Sequence, residues 1–422
     1  MTKLRDMLST VRPNAALAVA WLGFAVLGSA APLCAAAAAA AEPAKDAAKE
    51  QKCDVSEKFR NKYKVAADAA QKNDWAAALP AAKDAYTEAK KPCEQMYAVS
   101  VERTAAYNLK DDDALIAAAK HMNATEGVTE KDKATNLQVI YQTLIKQKKY
   151  DESIPALKDY IAVAGASAES LDLLARLDYQ QKDCAGATDT ITKIQAAGQA
   201  TEQQLLMAQD CYYKAKDTAH QAAATEELLY RFPKDSYMIG VLALNQGGDE
   251  RQLLNLYRLA FAKGYLQKQA QIVDYATLAE RSGVASEAQK VLEKASTEKW
   301  ITLDDSNTKL LTAEKRNAAD DRKGLPALDK EARAGKSGNK DVAVGYAYFG
   351  LEDYVHATEA IQRGLAADRV GDVKRVDDAN MVLGISFARL GKFDEATKAF
   401  TAAKADPRMT KAADAWLALM KN

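Results

Sequence analysis

Apolar residues near the C-terminus fall at helical spacing in two short segments separated by a polar break. Met381, Leu383, Gly384 and Phe387 share one face, Leu390-Gly391-Lys392 interrupts, and Ala396, Phe400 and Ala403 share the next. Weaker copies of this phrase run back along the chain. Val344-Gly345 and Tyr348 lead to Ala357 and Ile361, Tyr275-Ala276 and Ala279 to Ala288 and Leu292, and Leu174-Ala175 to Ala187 and Ile191. Earlier still, Ile140-Tyr141 and Leu144 lead to Ser153 and Leu157, and Val65-Ala66 to Ala78 and Ala82. In each copy the two key positions lie twelve residues apart, and the step from Tyr141 to Ala175 is 34 residues. The pattern predicts two antiparallel helices per unit, close enough that a large side chain at the contact would hold them apart. A proline after the second helix, as in Phe232-Pro233 and Asp406-Pro407, stops it. A fixed period of this size marks a stack of like units, and breaks every 15–20 residues exclude a long coiled coil.

These residues resemble the tetratricopeptide repeat (TPR) family, whose pattern carries Leu-Gly and an aromatic on the first helix, Ala and an aromatic on the second, and a closing Pro. Leu383, Gly384, Phe387, Ala396, Phe400 and Pro407 match it, while Asn380 stands where the family's Trp would be. The resemblance implies an all-α fold: a right-handed superhelical solenoid of about ten antiparallel helix pairs over residues 55–422. Units centred near 105–115, 210–222, 245–258 and 310–328 rest mainly on spacing. In the family, the concave face lined by the first helices binds peptides or partner helices. Carried over position by position, this implies a groove with Tyr63, Arg176, Tyr179, Tyr346, Phe349, Met381, Ile385 and Arg389 as partner-binding candidates. Aromatics and Arg suit that role because they supply area and hydrogen bonds together.

The N-terminus has a different character. Lys3, Arg5 and Arg12 precede an apolar run from Ala15 to Leu33, and an Ala tract follows through Ala41. That order predicts a secretory signal over 1–41, cleaved in the tract, and a short linker over 42–54. An uncleaved signal would instead anchor the chain in the inner membrane. Lipid attachment at Cys34 is disfavoured because Leu33 stands where a small residue is wanted. Four cysteines then remain, an even count that suggests disulfides in an exported chain. In a stack of helix pairs the start of a first helix lies beside the end of its second, which brings Cys53 to Cys93. Cys184 opens a second helix and Cys211 lies late in the next, antiparallel first helix. The layout therefore predicts Cys53–Cys93 and Cys184–Cys211, each stabilising by roughly 3–4 kcal/mol at most. Four free thiols are the alternative.

Charge adds little: 58 basic and 58 acidic residues favour neither nucleic acid nor an anionic membrane. His121, His220 and His356 sit in different units with no metal-type ligand at helical spacing, so no metal or other cofactor is expected. Asp111-Asp112-Asp113 falls at a predicted break and reads as a helix cap. Gly335-Lys336-Ser337 lacks the first glycine of a phosphate loop, since Lys330 stands there. The mixed charges of Glu314–Lys323 read as a solvated face or a loop. No catalytic constellation appears, and the repeats leave no room for a separate catalytic domain. The sequence therefore predicts a non-catalytic periplasmic scaffold or adaptor that binds a protein or peptide of the cell envelope. A structural subunit of an envelope assembly or export machine is the alternative, and a solenoid-type cell-wall enzyme a remote one.

Overall fold

The computed structural model describes residues 53–266 and 268–421. The predicted signal, Cys34 and most of the 42–54 linker lie outside them. The described residues form twenty α-helices and no strand, most of them packed as consecutive pairs. They divide into two compact units at Cys211/Tyr212. The N-terminal unit holds α1 (Glu57–Gln71), α2 (Trp75–Glu88), α3 (Pro92–Leu109), α4 (Asp112–Ala124), α5 (Glu130–Lys146), α6 (Tyr150–Ala164), α7 (Ala168–Gln180) and α8 (Cys184–Ala196). The boundary falls within α9 (Glu202–Ala215). The C-terminal unit holds α10 (Thr218–Arg231), α11 (Asp235–Leu244), α12 (Glu250–Ala262), α13 (Gln269–Arg281), α14 (Ala285–Thr297), α15 (Asp305–Ala334), α16 (Gly338–Gly350), α17 (Tyr354–Gly364), α18 (Val376–Arg389), α19 (Phe393–Ala403) and α20 (Thr410–Leu419).

One turn recurs between the helices of a pair. The first helix ends on a residue with positive φ: Asn73, Lys110, Lys148, Lys182, Lys216, Gly283, Glu352 and Gly391. The next residue returns its N–H to a carbonyl five positions back, as in Asp74 to Ala69, Asp183 to Asp178 and Lys392 to Phe387, each at 2.9 Å. That 6→1 bond satisfies a carbonyl the helix end would otherwise orphan. The same residue then opens the second helix. Where it is Asp74, Asp111, Asp183, Asp217 or Asp353, its carboxylate accepts the N–H three residues on. Asp111 thus acts as the predicted cap, while Asp112 pairs with Lys146 at the end of α5 and Asp113 with Lys149 just ahead of α6.

The twelve-residue positions are buried, as the pair pattern expects. Ala66 and Ala78, Ala175 and Ala187, and Ala276 and Ala288 are all fully buried. A Cβ on Gly384 would lie 2.6 Å from a ring carbon of Phe400, so the space that a side chain would need is taken. The expectation of a two-helix unit near 310–328 is corrected: residues 305–334 form the single helix α15. The Glu314–Lys323 stretch is part of it, and Glu314 and Ala318 on that stretch are buried. No turn of the recurring kind interrupts the run. Pro326 lies inside it but is exposed, as is Arg322, so water can take the carbonyl that Pro leaves without its bond.

Both predicted cysteine pairs are bonded. Cys53 and Cys93 have Cα atoms 6.0 Å apart, and Cys184 and Cys211 5.2 Å apart. Beside the first bond, the buried Glu94 carboxylate accepts the N–H groups of Ser56 (2.6 Å), Lys90 (2.8 Å) and Lys91 (3.2 Å). Burial alone would raise the Glu94 pKa. The three N–H groups outweigh it and lower the value to about 2. The segment ahead of α1 is thereby fastened to the start of α3 both covalently and through a buried charge.

The C-terminal unit closes on itself. Helices α10 and α12 pack against α20, and α12 also packs against α18. The Trp416 indole N–H donates to the Asn255 carbonyl at 2.9 Å, and Trp416 stacks on Phe400. A single apolar cluster runs from Leu229 to Leu419.

Candidate functional site

The first-helix faces of the two units are in different states. In the C-terminal unit that face belongs to α16 and α18, and side chains of α12 cover it. Asp378 is the hub: Arg251 donates to it at 2.6 Å, Asn255 at 3.1 Å and the Tyr346 hydroxyl at 2.8 Å. Burial and then the Asp378 charge push the Tyr346 pKa well above the usual tyrosine value. One turn along α12, Arg258 lies 4.8 Å from the centre of the Phe349 ring and makes a two-point pair with Glu287 on α14, at 2.7 and 2.8 Å. Arg258 and Glu287 are both buried.

Four groove candidates therefore meet the chain's own helix or the core beneath it. Tyr346 and Phe349 contact α12 directly, and Met381 and Ile385 are buried in the same apolar cluster. Arg389, on the same face, is exposed. The sequence pattern could not announce α12 as the occupant, because the contacts join segments about ninety or more residues apart.

In the N-terminal unit the corresponding face is exposed among the described residues. Tyr63 on α1 is half-buried, stacks on Phe59 and lies 5.9 Å from the Tyr97 ring on α3. Along α3, Tyr97, Ser100, Thr104 and Tyr107 recur at steps of three and four and are all exposed, Tyr97 by 46% and Tyr107 by 52%. Met96 beside them is exposed as well. The opposite side of α3 is buried through Ala98, Val99, Glu102, Ala105 and Ala106, so the backbone under this stripe is held by the core.

Farther along, Arg176 is ion-paired to Asp172, and Gln204 donates to the same Asp172 at 2.7 Å. The Tyr179 hydroxyl donates to Asp210 at 2.7 Å; burial and that bond raise its pKa to about 12. These contacts tie α7 to α9. Tyr63, on α1, and Arg176 and Tyr179, on α7, thus share one unit. The α3 residues were missed because their repeat was placed mainly by spacing. The signal was available: Tyr97 follows Tyr63 by 34 residues.

Among the described residues no group of three or more His, Cys, Asp or Glu is placed to hold a metal ion. His220 and His356 pair with Asp217 and Asp353, the caps three residues before them, and His121 with Glu102. No described helix is long and apolar enough to cross a membrane.

No protein-family model and no curated protein sequence matches the chain. Three solved structures are similar to it in part. One, described as Naa15/Naa10 bound to HypK-THB, is 14% identical with a TM-score of 0.32, over 83% of this chain and 64% of that one. A tetratricopeptide repeat protein from Parabacteroides merdae is 12% identical with a TM-score of 0.26, over 62% of this chain and 100% of that one. The APC/C hetero-tetramer Cut9-Hcn1 gives 12% identity and a TM-score of 0.21, over 83% and 79%. This chain spans less than two thirds of the length of the first of these.

Proposed function

We propose that this chain is a non-catalytic interaction scaffold, exported to the periplasm, that docks a protein or peptide of the cell envelope on the first-helix face of its N-terminal unit. The observation that carries the reading is the exposed stripe Tyr97, Ser100, Thr104 and Tyr107 on α3, next to Tyr63 on α1. Tyrosines with neutral hydroxyls supply contact area and hydrogen bonds at low conformational-entropy cost, which is the composition of a surface that binds protein. Arg176 and Tyr179 extend the same row of first helices. In the C-terminal unit, Tyr346, Phe349, Met381 and Ile385 serve docking in another sense, since the helix they hold is α12. The two disulfides support an oxidising compartment and so an export signal in residues 1–41.

The test is a Tyr97→Ala, Tyr107→Ala double variant, expressed in the native host with its disulfides intact. Both side chains are exposed, so helicity and unfolding midpoint should match the parent, while a partner that co-purifies with the parent is lost. Retention of that partner at parental yield by the folded variant removes the proposed face.

A further inference from the structure

A cavity of about 80 Å³ lies inside the C-terminal unit, bounded by residues of α12, α13, α14, α16, α17 and α18. Its inner charges are matched. Arg258 pairs with Glu287, to which Tyr275 also donates its hydroxyl proton at 2.7 Å. On its outer wall Lys290 pairs with Glu352 at 3.1 Å.

Arg389 is the exception. It lines the cavity from the exposed end of α18, yet makes no ion pair or hydrogen bond among the described residues. Tyr354, on the wall with it, stacks edge-on to Phe349 and leaves its hydroxyl without a hydrogen bond among the described residues. A second cation, Lys263, is half-buried nearby and also has no ion pair among them. Burial, then the Arg389 charge, hold its pKa below the usual lysine value, which places the two cations in each other's field. Arg389 thus lines an opening with aromatic walls whose two carboxylates, Glu287 and Glu352, are already paired with Arg258 and Lys290, which leaves the arrangement incomplete.

We propose that this opening is a carboxylate-binding site, in which the Arg389 guanidinium takes both oxygens and the Tyr354 hydroxyl donates to one of them. The planar fork of Arg matches a carboxylate in two parallel bonds, and Lys263 adds charge without geometry. The cavity walls carry three cations, Arg258, Lys290 and Arg389, against two carboxylates, Glu287 and Glu352. That balance suits a monoanion and disfavours a phosphate dianion. Its size is well under the roughly 300–1,000 Å³ that encloses a drug-sized molecule, so it seats a terminal group. Phe261, Phe349 and Ile385 then face the carbon chain behind the carboxylate. Such a group belongs either to a small organic acid or to the free end of a peptide. The site is in the unit opposite the proposed docking face, and stands or falls independently of it.

The test uses the full chain with both disulfides formed. Sodium acetate, sodium butyrate and acetyl-Ala-Ala-Ala with a free or amidated C-terminus are titrated at constant ionic strength, reading the backbone amide resonances of Gly350 and Ile385, which line the cavity and are present in every variant. Saturable shifts with a free carboxylate are expected, at least tenfold weaker in Arg389→Gln and a few-fold weaker in Lys263→Gln. Arg103→Gln, in the other unit, should change nothing. Butyrate binding as well as or better than the peptide acid identifies a small acid. Preference for the peptide acid over butyrate and over its amide identifies a chain end. The proposal is overturned if no carboxylate gives a saturable shift. Unchanged affinity in Arg389→Gln, with its circular dichroism unaltered, overturns it equally.

Discussion

Four lysines, Lys110, Lys148, Lys182 and Lys216, hold the same left-handed position at the end of a first helix, with φ between 58° and 64°. A side chain there crowds the backbone, and glycine adopts the conformation without that strain. Gly391 occupies the equivalent place in the last pair. Each Lys→Gly change should therefore stabilise by about 0.5–1 kcal/mol, read from the urea midpoint. Asp178 presents the opposite situation. It is 1% exposed, and neither carboxylate oxygen has a hydrogen-bond partner. Burial raises its pKa above 3.8; the Lys158 charge opposes this, and the Asp183 and Asp189 charges add to it. A carboxyl with a raised folded-state pKa carries no penalty while it is protonated in both states. As pH climbs from 3.8 toward the raised value the unfolded chain ionises while the folded protein keeps its proton, so stability falls, and it levels off above the raised value, where the folded protein holds an unpaired buried charge. Asp178→Asn should remove that fall and be more stable than the parent at pH 7, measured by denaturant unfolding from pH 3 to 8. A variant that keeps the parent's pH slope would remove Asp178 as its source.

At the level of elements, the helix pair rests on a contact too close for a side chain. Gly384→Val should destabilise the C-terminal unit by about 2–3 kcal/mol, because Phe400 cannot leave its fully buried place without exposing apolar surface. Thermal unfolding reads this, and a loss under 0.5 kcal/mol would show that the pair tolerates separation. These pair contacts were legible in the sequence because they join residues twelve to sixteen apart through a turn of fixed geometry. The cysteine pairing was legible for the same reason. Helix α15 was not, since its unit was placed mainly on spacing, and the exposure of Pro326 lets the helix run on through a residue that would otherwise break it. The α12 contacts were hidden as well. Arg251, Asn255 and Arg258 read as ordinary polar residues of an amphipathic helix until Asp378, Glu287 and Phe349 are brought to them.

Across the whole molecule, similar helix pairs serve two ends. The C-terminal unit fills its own first-helix face with α12 and fastens it through buried ion pairs. Such pairs add little net stability when complete, but losing one partner costs about 3–5 kcal/mol. The N-terminal unit carries both disulfides and, among the described residues, keeps a row of tyrosines exposed on a backbone fixed from behind. The central claim is that this open face meets the partner. A photo-crosslinking residue placed at Ser100 on α3, and separately at Lys83 on α2, tests it in the native host. Both positions are exposed, and only Ser100 lies on the tyrosine face. The account predicts a discrete crosslinked species from position 100 that is absent from position 83. The same species from both positions, or from position 83 alone, would contradict it.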